Sequence, residues 1–227
     1  MKVLLLTLFA TSYVINVNCY LPSFITPCHI SDSSCMISSA QRALPYVARG
    51  VPDLNMDRLD PLEIREVKAD QAGLKMHFTD STIKGLRNCL VLNVKRVRES
   101  LLTELQCSVV LEGDYYIKGN LFIYPINSNG KYEIEIRDIV VSVFLDLDER
   151  QDGDKKYWHV KSWKHSADVR TGVTYHFENL IPRDPKLAQT ITKFANSNWK
   201  LIFNDLATPF LKAIVSRIVR ETSKLFQ

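Results

Sequence analysis

The chain lacks the marks of catalysis. It has no G-x-S-x-G elbow, no P-loop, no dinucleotide fingerprint and no H-E-x-x-H, so acyl transfer, nucleotide chemistry and zincin-type hydrolysis have no recognisable starting point. Its histidines (His29, His77, His159, His165 and His176) are scattered, and no cysteine pair has C-x₂-C spacing, so a zinc site is not expected. Asp146, Asp148, Asp152 and Asp154 crowd one turn, but the EF-hand spacing and its closing glutamate are missing, which reads as a solvated turn. There is no Asn-x-Ser/Thr sequon and no basic run interleaved with aromatics. A formal charge of +4 on 227 residues is too weak to imply nucleic acid. The sequence therefore reads as a protein without catalytic residues, metal or cofactor.

What is present begins with a short leader. Met1-Lys2, the apolar run Val3 to Ala10, the polar interruptions Thr11-Ser12 and Asn16, and Val17-Asn18-Cys19 before Tyr20 predict a secretory signal over residues 1–19 and one mature domain over 20–227. A hydrophobic content of 46% is enough for a full core, and no other long apolar segment precedes the C-terminal helix. Cys28, Cys35, Cys89 and Cys107 remain, an even number that suits disulfides in a secreted chain. Cys28 and Cys35 make a local staple. Cys89 and Cys107 flank a turn near Arg98–Ser100 and form a possible second pair across a hairpin, with register left open.

Along the chain, Ser38 to Arg49 predicts a short helix with Pro45 inside and Gly50 after it. Period-two stretches follow at Leu74–Phe78, Leu90–Val94, Leu105–Leu111 and Tyr115–Pro125, then Asn127-Ser128-Asn129-Gly130 as a turn signal. From Tyr132 to Leu147 the apolar phase switches at Asp138, which predicts a bulge in a curved strand. Tyr157–Val169 and Val173–Phe177 supply further strands. Pro185 to Phe226 is one long helix in this reading, about 60 Å if straight. Two of its i, i+4 rows are apolar: Ile202, Leu206, Phe210, Ile214, Ile218, and Trp199, Phe203, Ala207, Leu211, Val215, Val219. Pro209 bends it. With no crossover helices between strands, the expected fold is α+β: a long C-terminal α-helix wrapped by a highly curved antiparallel β-sheet.

Four segments, in order, resemble the juvenile-hormone-binding and takeout-like family of secreted insect carriers. They are Leu21-Pro22-Ser23-Phe24-Ile25 before Cys28 and Cys35; Gly50-Val51-Pro52-Asp53-Leu54 with Leu59-Asp60-Pro61-Leu62-Glu63-Ile64; Glu112-Gly113-Asp114-Tyr115-Tyr116-Ile117-Lys118-Gly119 with Tyr124-Pro125-Ile126; and Asn198-Trp199-Lys200 with Leu206 and Pro209. The resemblance implies a TULIP-like fold with an apolar tunnel, a Cys28–Cys35 disulfide, and a lipophilic cargo such as juvenile hormone, a related terpenoid or a long-chain lipid, carried in the haemolymph. The chain lacks the late cysteine that the hormone-binding branch uses for a second bridge, which favours the takeout-like side.

Such a tube would be lined by Met76, Phe78, Leu121, Ile123, Tyr132, Ile134, Phe144, Trp158, Tyr175, Phe177, Trp199, Phe203 and Phe210. The same residues packed on one another make an ordinary core, and periodicity does not separate the two. Tyr132, taken to follow the Asn129-Gly130 turn, is the first choice for a polar anchor, and Tyr175 the second. The function expected is a secreted carrier of one small hydrophobic ligand, with no nucleic acid, no stable membrane insertion, and a cell-surface or haemolymph protein as a further partner. The alternatives are an extracellular protein-interaction module with a filled core, and lipid binding at a membrane surface, suggested by a pI near 8.7.

Overall fold

The computed structural model describes residues 22–226 other than 72, 99, 122, 123 and 154, so the expected leader lies outside the described residues. The chain folds as α1 (Ser33–Arg49), β1 (Leu62–Gln71), β2 (Leu74–Lys84), β3 (Leu90–Val97), β4 (Ser100–Leu121), β5 (Tyr124–Asp152), β6 (Lys155–Phe177), α2 (Pro185–Ser197) and α3 (Trp199–Thr222). The strands form one antiparallel sheet in the order β1-β2-β4-β5-β6, with β3 also paired to β4. The sheet is open, and its inner face packs on α3 through Phe78, Tyr132, Phe203 and Phe210 in one cluster and Leu145, Val215 and Val219 in a second. The expected α+β fold is the one observed.

Several boundaries differ from the sequence reading. Helix α1 starts five residues earlier because the Asp32 carboxylate accepts the Cys35 amide at 2.9 Å and caps it. The Asn127–Gly130 stretch is not a turn: it pairs with Tyr115–Lys118 inside β5, and the chain reverses between Leu121 and Tyr124. Its turn-type residues serve a close approach instead. A Cβ on Gly130 would lie 2.5 Å from the Glu178 carbonyl oxygen, Ser128 Oγ donates to the Asn179 carbonyl, and Tyr115 Oη donates to the Glu178 carbonyl at 2.6 Å. The long C-terminal helix is broken at Asn198 (φ −115°, ψ 32°) into α2 and α3, while Pro209 is accommodated inside α3.

The phase change expected at Asp138 is present. Asp138 has φ +56°, and the pairing of β5 with both neighbours shifts there, between Cys107 and Val109 on β4 and between Arg137 and Ile139 beside β6. On the outer face three carboxylates each tie three strands. Glu104 accepts from Asn93 and Ser142, both at 3.0 Å. Asp146 accepts from Ser100 at 2.5 Å and Ser162 at 2.6 Å. Asp138 accepts from Gln106 at 2.5 Å and Thr171 at 3.2 Å. Those hydrogen bonds hold the Glu104 and Asp146 carboxyls below their ordinary values.

The free edges of β3 and β6 are each covered by a side-chain amide from a helix. Gln41 of α1 accepts the Val91 amide at 2.7 Å and donates to the Cys89 carbonyl at 3.2 Å. Asn196 of α2 accepts the Tyr175 amide at 2.7 Å and donates to its carbonyl at 3.2 Å. Each amide reproduces the donor and acceptor of an absent strand, which blunts the edge against further pairing.

The far end of α3 is fixed by Glu221, fully buried. Its carboxylate accepts the Asp57 amide at 2.9 Å, Lys224 Nζ at 2.6 Å and Arg220 Nε at 3.3 Å. Burial alone pushes this carboxyl up, but the bonds from Lys224, the Asp57 amide and Arg220 outweigh it, and the group titrates below 4.5. Disulfides join Cys28 to Cys35 and Cys89 to Cys107, the second one step beyond the Leu90–Gln106 pair of the β3–β4 hairpin.

Two stability outcomes follow. Replacing Cys89 and Cys107 by alanine opens an 18-residue separation and lowers stability by about 3 kcal/mol, a drop in Tm of roughly 6–12 °C by calorimetry. Glu221→Gln takes the carboxylate from the Asp57 amide and from three partly exposed cations, and costs about 2 kcal/mol at neutral pH. Because the folded-state carboxyl titrates below 4.5, its contribution is complete above that pH and is lost as pH falls through the folded value. Urea unfolding therefore shows the gap between parent and variant closing in acid; an unchanged gap would show that the carboxylate charge is not what stabilises the joint.

Candidate functional site

The interior is built around five aromatic rings on four strands and a helix. Phe78 meets Tyr132 edge-on at 5.0 Å and Phe210 at 4.7 Å between ring centroids. Phe177 meets Tyr115 at 4.9 Å and lies 6.1 Å from Tyr132. Such pairs hold their geometry through ring quadrupoles as well as burial. Phe78 comes from β2, Tyr115 from β4, Tyr132 from β5, Phe177 from β6 and Phe210 from α3. The cluster closes only when the sheet curls round the helix.

One polar pair sits inside this wall. Tyr132 Oη donates to Ser81 Oγ at 2.7 Å, with Tyr132 at 2% exposure and Ser81 at 1%. Ser81 points inward because β2 gains a residue between Thr79 and Thr82, with Asp80 at φ +48°. Gly113 permits it: a Cβ there would lie 2.8 Å from the Thr79 carbonyl oxygen. Burial pushes the Tyr132 phenol up to about 12, offset in part by the Ser81 bond. Among the described residues no bond takes up the second hydroxyl proton of this pair. Sequence reasoning missed Ser81 because its inward turn depends on the bulge, and the period-two pattern of β2 gives it no signal.

Tyr175, the second candidate anchor, is also buried; its hydroxyl donates to the Trp199 carbonyl across 3.4 Å, and burial raises its pKa. Met76, Ile134 and Phe203 are buried in the same cluster as the five rings, with Trp199 half-buried against it. Trp158 stands apart. It lies under the Arg96 guanidinium, 6.0 Å from the ring centroid, beside Val160 and Ser223 at the other end of α3. Phe144 is 39% exposed and faces away from α3. The extra residue at Asp138 puts Ile139 and Leu145 on the inner side, so Phe144 pairs outward with Lys164. Ile123 and the side chain of Leu121 lie outside the described residues.

The rings fill the centre of the interior by contact with one another. A cavity of about 300 Å³ opens at the β4–β5 hairpin beside Lys118, Gly119, Asn120, Pro125, Ile126 and Asn127, and one of about 110 Å³ lies between Tyr157 and Ser223. Neither is bounded by the five rings. Among the described residues no group of three or more His, Cys, Asp or Glu side chains is placed to hold a metal ion, and no helix is long and apolar enough to cross a membrane.

Comparison with known proteins agrees with this architecture. The chain is 23% identical over 203 residues to the circadian clock-controlled protein daywake of Drosophila melanogaster, covering 82% of this chain and 76% of that protein. It is 30% identical over 97 residues to the juvenile hormone-binding protein of Manduca sexta, covering 40% of this chain and 42% of that one. The crystal structure of Takeout 1 from Epiphyas postvittana superposes with a TM-score of 0.85 at 23% identity, over 89% of this chain and 95% of that chain. The family model for haemolymph juvenile hormone binding protein matches residues 3–227, and the chain belongs to that family, whose members are binding and carrier proteins and not enzymes.

Proposed function

We propose that this chain is a secreted carrier that takes one small, elongated apolar molecule into the space between α3 and the curled sheet. Juvenile hormone, a related terpenoid and a long-chain lipid are the ligand classes that fit. The observation that carries the reading is the buried Tyr132–Ser81 hydroxyl pair in an otherwise apolar aromatic wall. Apolar surroundings with a few placed polar groups are what a ligand site of this class requires. The two hydroxyls hold two protons and their mutual bond uses one, so the other is available to an ester, epoxide or carboxyl oxygen. Burial of the ligand's chain supplies affinity at about 25 cal/mol per Å² of apolar surface, less the cost of fixing it in place. The two disulfides suit an oxidising, extracellular compartment.

The contact between the five rings favours a second reading, a filled core with the function on the surface. Organic extraction and mass spectrometry of the secreted protein, followed by titration with juvenile hormone and a long-chain fatty acid, separates the two. The carrier yields a stoichiometric apolar molecule or a saturable titration; silence in both assigns the filled core. Tyr132→Phe and Ser81→Ala each weaken an oxygen-bearing ligand about two- to twelvefold and leave a hydrocarbon of equal length unaffected. Equal affinities for parent and variants would remove the polar anchor from the mechanism.

A further inference from the structure

From Pro185 to Asn204 the sequence repeats a lysine followed by an apolar residue every seven positions: Lys186-Leu187, Lys193-Phe194 and Lys200-Leu201. Seven residues fall about 20° short of two helical turns, so such pairs stack along one side of a helix. The break at Asn198 does not bury them. All three lysines are exposed, Leu187 is half-buried, and Phe194 and Leu201 are 44% and 58% exposed. No Asp or Glu occurs between Pro185 and Asn204. The nearest preceding acid, Asp184, is occupied as the α2 cap, accepting the Leu187 amide at 2.9 Å. The opposite side of the same helices, Ala188, Ile191, Ala195, Trp199 and Ile202, packs on the core.

We propose that this face of α2 and the start of α3 is a peripheral contact for anionic lipid bilayers, where cargo passes between membrane and protein. The purpose rests on the carrier reading; the contact itself does not. Its chemistry favours lipid over a protein partner. Protein interfaces are depleted in lysine and anchored by tyrosine, tryptophan and arginine, whereas this row has three lysines and no arginine. Lysine stems lie along an apolar surface while their ammonium groups stay at the headgroups, and leucine and phenylalanine beside them enter the acyl boundary. Three exposed lysines, with acids only at the two ends of the stretch at Asp184 and Asp205, complement an anionic leaflet. Because the inner side of these helices is core, a bilayer seated on the outer side lies one helix away from the interior.

The test is flotation of the full secreted protein with phosphatidylcholine vesicles, with and without phosphatidylglycerol, alongside retention of an apolar fluorescent probe. The expected result is partition onto the anionic vesicles only, reversed by molar salt. Lys193→Glu with Lys200→Glu should lower that partition by about 30-fold or more, the worth of two lysines near an anionic surface. Leu201→Ser should lower it about fivefold. Circular dichroism and probe retention confirm that each variant is folded. Vesicle binding without probe retention keeps the membrane face and overturns the carrier. Probe retention without vesicle binding, or binding indifferent to both variants, overturns the membrane face; the first of these points the lysine row to an acidic protein.

Discussion

An antiparallel strand alternates its faces without exception, so it can change the side it buries only by taking in an extra residue. Besides the shifts at Val91–Asn93 and Asp146–Leu147, two such insertions set what faces α3. At Asp80 the insertion in β2 brings Ser81 inward beside Tyr132, between the inward residues Phe78 and Ile83. At Asp138 it moves Ile139 and Leu145 toward α3 and turns Phe144 to the outside. Both residues sit at positive φ, where an aspartate is tolerated better than most side chains. Remove either insertion and one long strand presents its polar side to the helix. The aromatic cluster, the hydroxyl pair and the second apolar cluster around Val215 and Val219 all follow from these two residues.

An open sheet leaves free strand edges, and the helices answer that problem at β3 and β6 as well as packing on the sheet. Gln41 and Asn196 supply strand-like hydrogen bonds from side chains, so α1 and α2 close the sheet without a seventh strand. Glu221 then locks the last turn of α3 to the segment around Asp57. A buried carboxylate is a costly fastening. It holds because three cations, Arg217, Arg220 and Lys224, surround it, and Arg217 also bridges it to the Asp57 carboxylate at 2.7 Å.

Much of this frame is legible in the sequence. The broad apolar stripe from Trp199 to Val219 demands a large partner surface, and the phase switch at Asp138 is visible because a run of sixteen residues shows both phases. The bulge at Asp80 is not visible, since β2 is too short on its far side to establish a second phase. The Asn127–Gly130 segment misleads for a related reason. Its small and turn-forming residues are needed where the 178–180 turn presses against β5, a contact remote in sequence that no local pattern reports. The break at Asn198 is equally silent, because Phe194 and Ile202 on either side keep bonding to Asn198 in helical fashion. Phe144 is apolar, but the phase of Ile139, Val141, Val143 and Leu145 in its own strand already puts it outside.

The segments that carry the family resemblance explain the frame and not the cargo. Asp60 of the Leu59–Ile64 segment accepts the amides of Gly85 and Arg87 and the Arg87 side chain. Gly113 admits the β2 bulge, and Tyr115 pins the turn before α2. These residues fix where the helix and the sheet meet, and Tyr115 belongs to the ring cluster as well. The rings and the hydroxyl pair are held by side-chain contacts, so they can exchange partners without loss of the ladder bonds between strands. The helix opposite them changes direction at Asn198 and lacks a backbone donor at Pro209, so the length carrying Phe203 lies between two irregular points. Phe210 follows directly on the second. In the carrier proposed above, an apolar molecule that replaces ring contacts there would leave the ladder bonds of the sheet in place.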